Sequence, residues 1–385
     1  MEEMEKSKLK VMTVLGTRPE IIRLSRTMAL LDQFLTQIIV HTGQNYDYEL
    51  NEVFWEELEL RKPDYFLNID TSSLGASVGD ILRKTEEVVI KENPDAMLVL
   101  GDTNSCLSAY IAKRRHIPIF HMEAGNRCFD QNVPEETNRK IIDHIADFNL
   151  VYTDHARRHL LSEGLPHRRI YLTGSPMKEV LDYYMLKIKR SESLKSLSLK
   201  ANSYFLVSTH REENVDNPEI FKKILTLLEK LTEIYDFPII VSTHPRTKKR
   251  METLNESTKK QINSKILFMK PFGFLDYVNL QMNAFCTISD SGTISEESAI
   301  LNFPAISLRQ SMERPEAQDA GTIILSGFDQ QIVLDSIVLL TTEFKQKNRY
   351  HDIAADYQIN NTSWRVLKLI IGNTKLSNLW WGINE

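Results

Sequence analysis

Short apolar runs alternate with longer amphipathic stretches from near the start of the chain. In the first half the runs that predict buried strands are Lys8–Leu15, Gln37–His41, Ala96–Leu100, Ile117–Met122, Asn149–Tyr152 and Ile170–Thr173. After the first of them, Pro19 is well placed for the first turn of a helix that should run to about Asp32. Regular alternation of this kind predicts a parallel sheet with helices on both faces.

The pattern is interrupted between Leu186 and Asn202, where the sequence LKIKRSESLKSLSLKAN is rich in lysine and serine. This stretch predicts a helix followed by a solvated connector near a domain boundary. The alternation then restarts, with strand candidates at Tyr204–Ser208, Pro238–Thr243, Ile266–Met269, Ala284–Ile288 and Pro304–Leu308. We therefore expect two doubly wound, Rossmann-like α/β domains with a cleft between them. The first covers 1–185 and is joined by a helix at about 365–385, and the second covers 186–364.

Length, charge and cysteine content narrow the class of protein. The chain has 385 residues, 42% of them hydrophobic, and a net charge of −5, which suits two globular domains and gives no basic field for nucleic acid or anionic membrane. The three cysteines form neither a metal-ligand spacing nor a disulfide framework, as is typical of a reducing compartment. The polar start MEEMEKSKLK is unlike a signal peptide, and no apolar run has the length of a membrane span. These features predict a cytoplasmic protein.

Acidic residues follow two neighbouring predicted strands of the first domain. Asp102 lies in GDTNS and Glu123 in HMEAGNR, and the pair Glu135–Glu136 follows in NVPEETNR. Because ligands of open α/β sheets bind outside the carboxyl ends of the strands, these carboxylates should face one pocket. Carboxylates gathered there are typical of acid/base catalysis, whereas each one alone could equally cap a helix. Of the Glu pair, we expect Glu136 to tolerate substitution better than Glu135.

The segment SDSGTISEES of the second domain predicts an anion site. Ser291, Gly292 and Thr293 stand where a strand gives way to a helix, so their N–H groups and hydroxyls could hold a phosphate. One of Glu296 and Glu297 could accept both hydroxyls of a ribose. Ordinary helix capping is the alternative, although capping alone does not account for the doubled glutamate.

Histidines and arginines also lie at predicted strand ends. His210 in STHREEN and His244 in VSTHPR indicate a polar wall that tolerates anions. Arg18 and Arg23, in and after GTRPE, and Arg314 in MERPEA could bind a diphosphate in bidentate fashion. For each arginine the alternative is a surface ion pair of little energetic value.

Two cofactor classes find no support in the motifs. A metal site built from His210, His244 and Asp102 lacks HxH, HExxH or CxxC spacing, so we expect no catalytic metal. GxGxxG is also absent, which argues against a bound dinucleotide. No cofactor is therefore expected.

Spaced motifs in a fixed order carry a family resemblance. GTRPEII, TGQNYD, GDTNS, HMEAGNR, PEETNRK, STHREEN, SDSGTISEE and MERPEA closely resemble the non-hydrolysing UDP-N-acetylglucosamine 2-epimerases over roughly residues 9–320. The resemblance implies a glycosyltransferase-B-like architecture, a UDP-sugar substrate and a homodimer. It implies catalytic roles for Asp102, Glu123, Glu135 and His210. The substrate contacts that it implies are Arg18, Arg23, Arg139, His244, Tyr277, Ser291, Gly292, Thr293, Glu297 and Arg314.

The loop between the acids departs from the pattern of the enzymes that act on the GlcNAc sugar. Those enzymes typically read GLRTGD…SPWPEE, whereas this chain reads GNRCFDQNVPEE, and Arg23 replaces their usual lysine. These variants resemble the branch that converts UDP-2-acetamido-2,6-dideoxy-L-talose to UDP-N-acetyl-L-fucosamine for capsule or O-antigen. The reaction implied is C2 epimerisation through a 2-acetamidoglycal. The alternatives are conversion of UDP-GlcNAc to UDP-ManNAc, a hydrolysing epimerase, a glycosyltransferase of the same architecture and a non-catalytic UDP-sugar-binding regulator.

Overall fold

Two α/β units make up the chain. The computed structural model describes residues 8–43, 48–209, 211–243, 245–252, 262–346 and 353–382. Unit 1 runs to Tyr183 and resumes at Ala355, and unit 2 is the continuous stretch Tyr184–Ala354. Each unit contains one sheet in which all observed strand pairs are parallel.

Unit 1 has a seven-stranded sheet in the order β3-β2-β1-β4-β5-β6-β7. Its strands are β1 Lys10–Leu15, β2 Thr36–His41, β3 Tyr65–Phe66, β4 Ala96–Leu100, β5 Ile119–Ala124, β6 Phe148–Val151 and β7 Ile170–Leu172. Its described helices are α1 Arg18–Phe34, α2 Tyr48–Glu57, α3 Leu74–Glu92, α4 Ala109–Arg114, α5 Glu135–Ile145, α6 Asp154–Ser162, α7 Met177–Lys189 and α16 Thr362–Trp381. The division between the two units falls inside α7. The chain moves outward from β1 to β3 and then returns to β4 beside β1. Because parallel crossovers are right-handed, this reversal puts the connecting helices on opposite faces of the sheet.

Unit 2 repeats this arrangement with six strands in the order β10-β9-β8-β11-β12-β13. The strands are β8 Phe205–Ser208, β9 Ile239–Ser242, β10 Ile266–Met269, β11 Cys286–Ser289, β12 Ala305–Ser307 and β13 Ile324–Leu325. The described helices are α8 Ser193–Ser196, α9 Glu212–Val215, α10 Pro218–Tyr235, α11 Pro245–Glu252, α12 Phe274–Asn283, α13 Ile294–Leu301, α14 Pro315–Asp319 and α15 Gln330–Gln346. The strand order again reverses, here between β8 and β11. The predicted class, two doubly wound parallel α/β units, is confirmed.

The predicted connector is only partly solvated. The stretch from Leu186 to Asn202 was predicted to be a helix followed by a solvated connector, and Leu194, Leu197 and Leu199 within it are partly buried against a core cluster that includes Tyr204. The apolar spacing of these leucines was obscured by the lysines and serines between them. No helix of the described residues is long and apolar enough to cross a membrane.

Candidate functional site

The reversal of strand order in unit 1 lies between β1 and β4, which pair directly. Loops leaving neighbouring strands in opposite directions open a crevice at such a point. The loop after β1 carries GTRPE, and the loop after β4 carries GDTNS.

Glu20 joins these two loops, a role that the sequence analysis missed. On the side of its own loop, its carboxylate accepts the Gly16 N–H at 3.0 Å and the Thr17 hydroxyl at 2.7 Å. On the side of the other loop it accepts the hydroxyls of Thr103 at 3.1 Å and Ser105 at 2.5 Å. Burial raises the pKa of Glu20, and these hydrogen bonds offset part of the shift. The Thr-x-x-Glu spacing of a capping box was the available signal, but it indicates only the start of a helix.

Arg139 forms ion pairs with two acidic side chains, Asp102 and Glu136. Its Nε lies 2.6 Å from Asp102 Oδ2, and its Nη1 lies 2.8 Å from Glu136 Oε2. The Cys128 N–H donates to the same Glu136 oxygen at 3.2 Å. Burial acts to raise the pKa of Glu136, but the hydrogen bonds from Arg139 and Cys128 outweigh it and the pKa is lowered. Asp102 is thus held from the side by an arginine that is itself fixed by Glu136.

Glu123 stands at an irregularity of β5. Its φ is +66°, and the pairing of β5 with β6 shifts register between Met122 and Ala124. Bulges and left-handed residues of this kind redirect a side chain and are common beside active sites. The Glu123 carboxylate pairs with Arg23, and a methyl group built on Gly101 would lie 3.4 Å from its Oε2. Because Gly101 directly precedes Asp102, the structure brings the two predicted acids to adjacent strand ends.

The structure gives the two members of the Glu135–Glu136 pair different surroundings. Glu136 is buried and binds Arg139, which makes it part of the acid cluster rather than a spare residue. Glu135 is half-buried at the first residue of α5 and makes no hydrogen bond or ion pair within the described part of the chain. Its side chain is therefore the more open of the two to a ligand.

In unit 2 the reversal lies between β8 and β11, and SDSGT leaves the end of β11. The Ser291 N–H donates to Ser289 Oγ at 3.0 Å, and the hydroxyls of Ser291 and Thr293 lie 3.0 Å apart. The loop leads directly into α13, as predicted for an anion site. A methyl group on Gly292 would lie 2.6 Å from Glu313 Oε1, so this glycine leaves room for a carboxylate of the protein.

The predicted ribose and diphosphate contacts of α13 are also held by protein groups. Gln281 Nε2 donates to Glu297 Oε2 at 2.6 Å, which fixes the predicted ribose acceptor. Glu296 forms an ion pair with Arg314, and both side chains are buried. Burial raises the pKa of Tyr277, and the charge of Glu297 raises it further. The phenol therefore lies near the Glu297 carboxylate.

Asp290 anchors the loop that follows β8. Its Oδ2 accepts the Arg211 N–H at 3.0 Å and Asn214 Nδ2 at 2.9 Å. Asp290 therefore ties the STHREEN loop to the SDSGT loop. The predicted residues His210 and His244 lie outside the described residues. In unit 1, Arg18 is half-buried at the start of α1, with its guanidinium 5.9 Å from the Phe54 ring centre.

Three comparisons with known proteins place the chain among relatives. A family model described as UDP-N-acetylglucosamine 2-epimerase matches residues 29–371. A structure of UDP-N-acetylglucosamine 2-epimerase from Rickettsia bellii is 50% identical with a TM-score of 0.90, covering 97% of this chain and 100% of that one. The Methanocaldococcus jannaschii UDP-GlcNAc 2-epimerase in complex with UDP-GlcNAc and UDP is 35% identical with a TM-score of 0.86, covering 95% and 99%. A glycosyltransferase from Rickettsia africae, 12% identical with a TM-score of 0.56 over 97% and 98% of the two chains, shares the fold alone.

Proposed function

Because the chain belongs to the UDP-N-acetylglucosamine 2-epimerase family, and is thus a non-hydrolysing UDP-sugar epimerase, we propose that it inverts C2 of a UDP-N-acetylhexosamine. The observation that carries this proposal is the meeting of Asp102 and Glu123 at the ends of β4 and β5, each beside an arginine. The arginines Arg139 and Arg23 hold these carboxylates in fixed positions. Fixed carboxylates are suited to moving a proton at one carbon atom.

The proposed chemistry starts at C1, because no carbonyl group acidifies the C2 hydrogen of such a sugar. The C1–O bond breaks, UDP leaves with the electron pair, and nearby carboxylates stabilise the positive charge left on the ring. A carboxylate then takes the C2 proton, which gives a 2-acetamidoglycal. Returning a proton to the opposite face and adding UDP back gives the epimer. Acid/base groups must therefore flank both faces of C2, and we assign these roles to Asp102, Glu123 and Glu135, with His210.

We propose that unit 2 supplies the nucleotide contacts. The Ser291–Thr293 loop at the start of α13 suits a phosphate, and Glu297, held by Gln281, suits the ribose hydroxyls. We assign Gly292, Tyr277 and Arg314 to the same nucleotide, with His244. Arg18 and Arg23 of unit 1 stay proposed substrate contacts.

For the sugar, we favour UDP-2-acetamido-2,6-dideoxy-L-talose, converted to UDP-N-acetyl-L-fucosamine for capsule or O-antigen. Support comes from the loop Gly125–Val133, which differs from the GlcNAc pattern and carries Phe129, 72% exposed. An apolar ring in this loop suits a methyl group at C6 better than a hydroxymethyl group. The second candidate is the UDP-GlcNAc and UDP-ManNAc pair, which the ligand of the M. jannaschii relative favours.

We further propose that the chain acts as a cytoplasmic homodimer. The neighbouring helices α3, α4 and α5 of unit 1 expose Ile90, Tyr110 and Ile141 at 59%, 49% and 42%. Apolar side chains grouped in this way favour association with a second copy. Light scattering should give twice the chain mass, and Ile141→Asp should lower it. A monomeric mass for the unaltered chain would contradict the proposal.

NMR in deuterated water tests the reaction. The protein alone, with EDTA present, should convert the UDP-sugar and place deuterium at C2. Conversion without deuterium would exclude the elimination route. Release of free sugar would indicate a hydrolysing epimerase, a need for an acceptor would indicate a transferase, and binding alone would indicate a regulator.

Comparison of kcat/KM on the two substrate pairs tests the sugar. We expect the higher value on the 6-deoxy pair, and Phe129→Ser should reduce that preference. A higher value on UDP-GlcNAc would overturn the sugar assignment and leave the epimerase assignment intact.

A further inference from the structure

Asp143 is a fully buried carboxylate on α5 that contacts the segment carrying Glu123. The Gly125 N–H lies 3.2 Å from both of its oxygens, and Arg127 Nη1 donates to Oδ2 at 2.7 Å. His121 Nδ1 lies 2.9 Å from Oδ1. These partners stand on both sides of Glu123 in the sequence, so a single carboxylate contacts the segment before and after it.

The contact continues through His121 to the other acid. His121 Nε2 lies 2.9 Å from the carbonyl oxygen of Gly101. The Gly101 N–H in turn donates to the Met122 carbonyl at 3.0 Å. Because Gly101 directly precedes Asp102, the imidazole connects Asp143 to the loops of both acids.

Arg127 closes the network on its other side. Its Nε and Nη2 donate to the two oxygens of Glu163 at 2.8 and 2.7 Å. Burial acts to lower the pKa of Arg127, but its bonds to Glu163 and Asp143 raise it. The Arg127 guanidinium is thus a cation whose position is fixed by two carboxylates, those of Glu163 and Asp143.

The backbone of Glu123 requires such support. A φ of +66° is disfavoured for a residue with a side chain and persists only where the surroundings determine it. Two residues later, a methyl group on Gly125 would lie 2.4 Å from the Ala156 carbonyl oxygen, so the loop is pressed against α6. Asp143 holds the same glycine from α5. The Glu123 segment is therefore clamped between two helices.

We propose that Asp143 is a positioning residue for both acids, acting through Gly125 and Arg127 on Glu123 and through His121 on Asp102. The inference rests on the catalytic roles assigned to these acids in the proposed function. Loss of the Asp143 charge removes the acceptor of the Gly125 N–H and of Arg127 Nη1, and the charge beside His121 Nδ1. The carboxylates of Glu123 and Asp102 then shift relative to C2. A shift of about 1 Å lowers turnover by about 10²-fold.

Asp143→Asn and Asp147→Asn form a matched pair for the test. Asp147 is also buried in unit 1 and accepts the Ile119 N–H at 3.0 Å and Lys113 Nζ at 2.7 Å, at the amino end of β5, away from the acids. At equal folded fraction, Asp143→Asn should lower kcat by about 10²-fold while the dissociation constant of UDP stays unchanged. Asp147→Asn should lower thermal stability and keep kcat. Equal loss of kcat in both variants, or wild-type turnover in Asp143→Asn, would overturn the proposal.

Two further measurements keep the proposal testable if Asp143→Asn does not fold or if the wild type turns over no UDP-sugar. His121→Gln leaves the carboxylate in place and should still lower kcat without weakening UDP binding; unchanged kcat would count against the connection to Asp102. Hydrogen exchange at the Gly125 amide needs no substrate. It should be faster in Asp143→Asn than in Asp147→Asn. Equal exchange would overturn the positioning role, whereas an inactive wild type with faster exchange would refute only the proposed function.

Discussion

Glu135 and Glu136 show how adjacent residues of one type take different roles. The first turn of α5 directs Glu136 towards Arg139 and leaves Glu135 without a protein partner among the described residues. We expect Glu135→Gln to lower kcat by about 10²–10⁴-fold, the usual effect of removing an acid/base group, with little change in melting temperature. Glu136→Gln should lower both kcat and the melting temperature, because Arg139 loses its ion pair with Glu136.

Steady-state kinetics and thermal melting of the two variants check this prediction. Asp102→Asn and Glu123→Gln serve as reference variants, because both should match Glu135→Gln in kcat and keep UDP affinity. Full turnover in Glu135→Gln would remove that residue from the mechanism.

Substitutions of the two glutamates of α13, Glu296 and Glu297, should also have different effects. Glu297→Ala should weaken UDP binding by about 1–3 kcal/mol, because ribose hydroxyls would lose their acceptor. Glu296→Ala should instead cost about 3–5 kcal/mol of folding stability, because it breaks the buried ion pair with Arg314. Calorimetric titration with UDP and urea unfolding distinguish the two effects. A loss of affinity in Glu296→Ala alone would reverse the assignment.

At the scale of elements, Glu20 in the first turn of α1 should make the stability of the folded chain depend on pH. The folded-state pKa of Glu20 is raised above its ordinary 4.5 by burial, so the folded chain binds this proton more tightly than the unfolded chain does. Its stabilising contribution is therefore complete below 4.5 and is lost as pH rises through the raised pKa. Glu20→Gln cannot ionise, so wild type should lose stability relative to the variant across that window. Melting curves over a pH series check this, and a constant difference in melting temperature would contradict it.

Strands and buried carboxylates differ in how far the sequence predicts them. Ala96–Leu100 and Ile266–Met269 have the predicted bounds, because each is an uninterrupted apolar run. The two-residue edge strands Tyr65–Phe66 and Ile324–Leu325 were missed, because two residues show no periodicity. Asp143 was missed for another reason: its role depends on partners in β5 and in the loop that follows β5, and spacing along the chain does not reveal them.

At the scale of the whole molecule, α16 belongs to unit 1 although it follows unit 2 in sequence. Trp364 packs on Phe34 of α1 with ring centres 5.3 Å apart, and Leu367 and Ile370 are buried. Each such apolar side chain contributes about 1.5–3 kcal/mol. A chain that stops at Asn361 should therefore lose protection of unit 1 amides in hydrogen exchange and keep that of unit 2. Unchanged protection in α1 would contradict this dependence.

The late position of α16 also sets an order of events on the ribosome. Unit 2 is continuous and can fold as soon as it has emerged, whereas unit 1 must wait for its last helix. At about 5–20 residues per second, the face of α1 that α16 covers stays bare for on the order of ten seconds or more. During that interval the uncovered apolar face of α1 is accessible to chaperones. Unit 1, which carries the acids at the ends of β4 and β5, is therefore completed only after unit 2 has emerged.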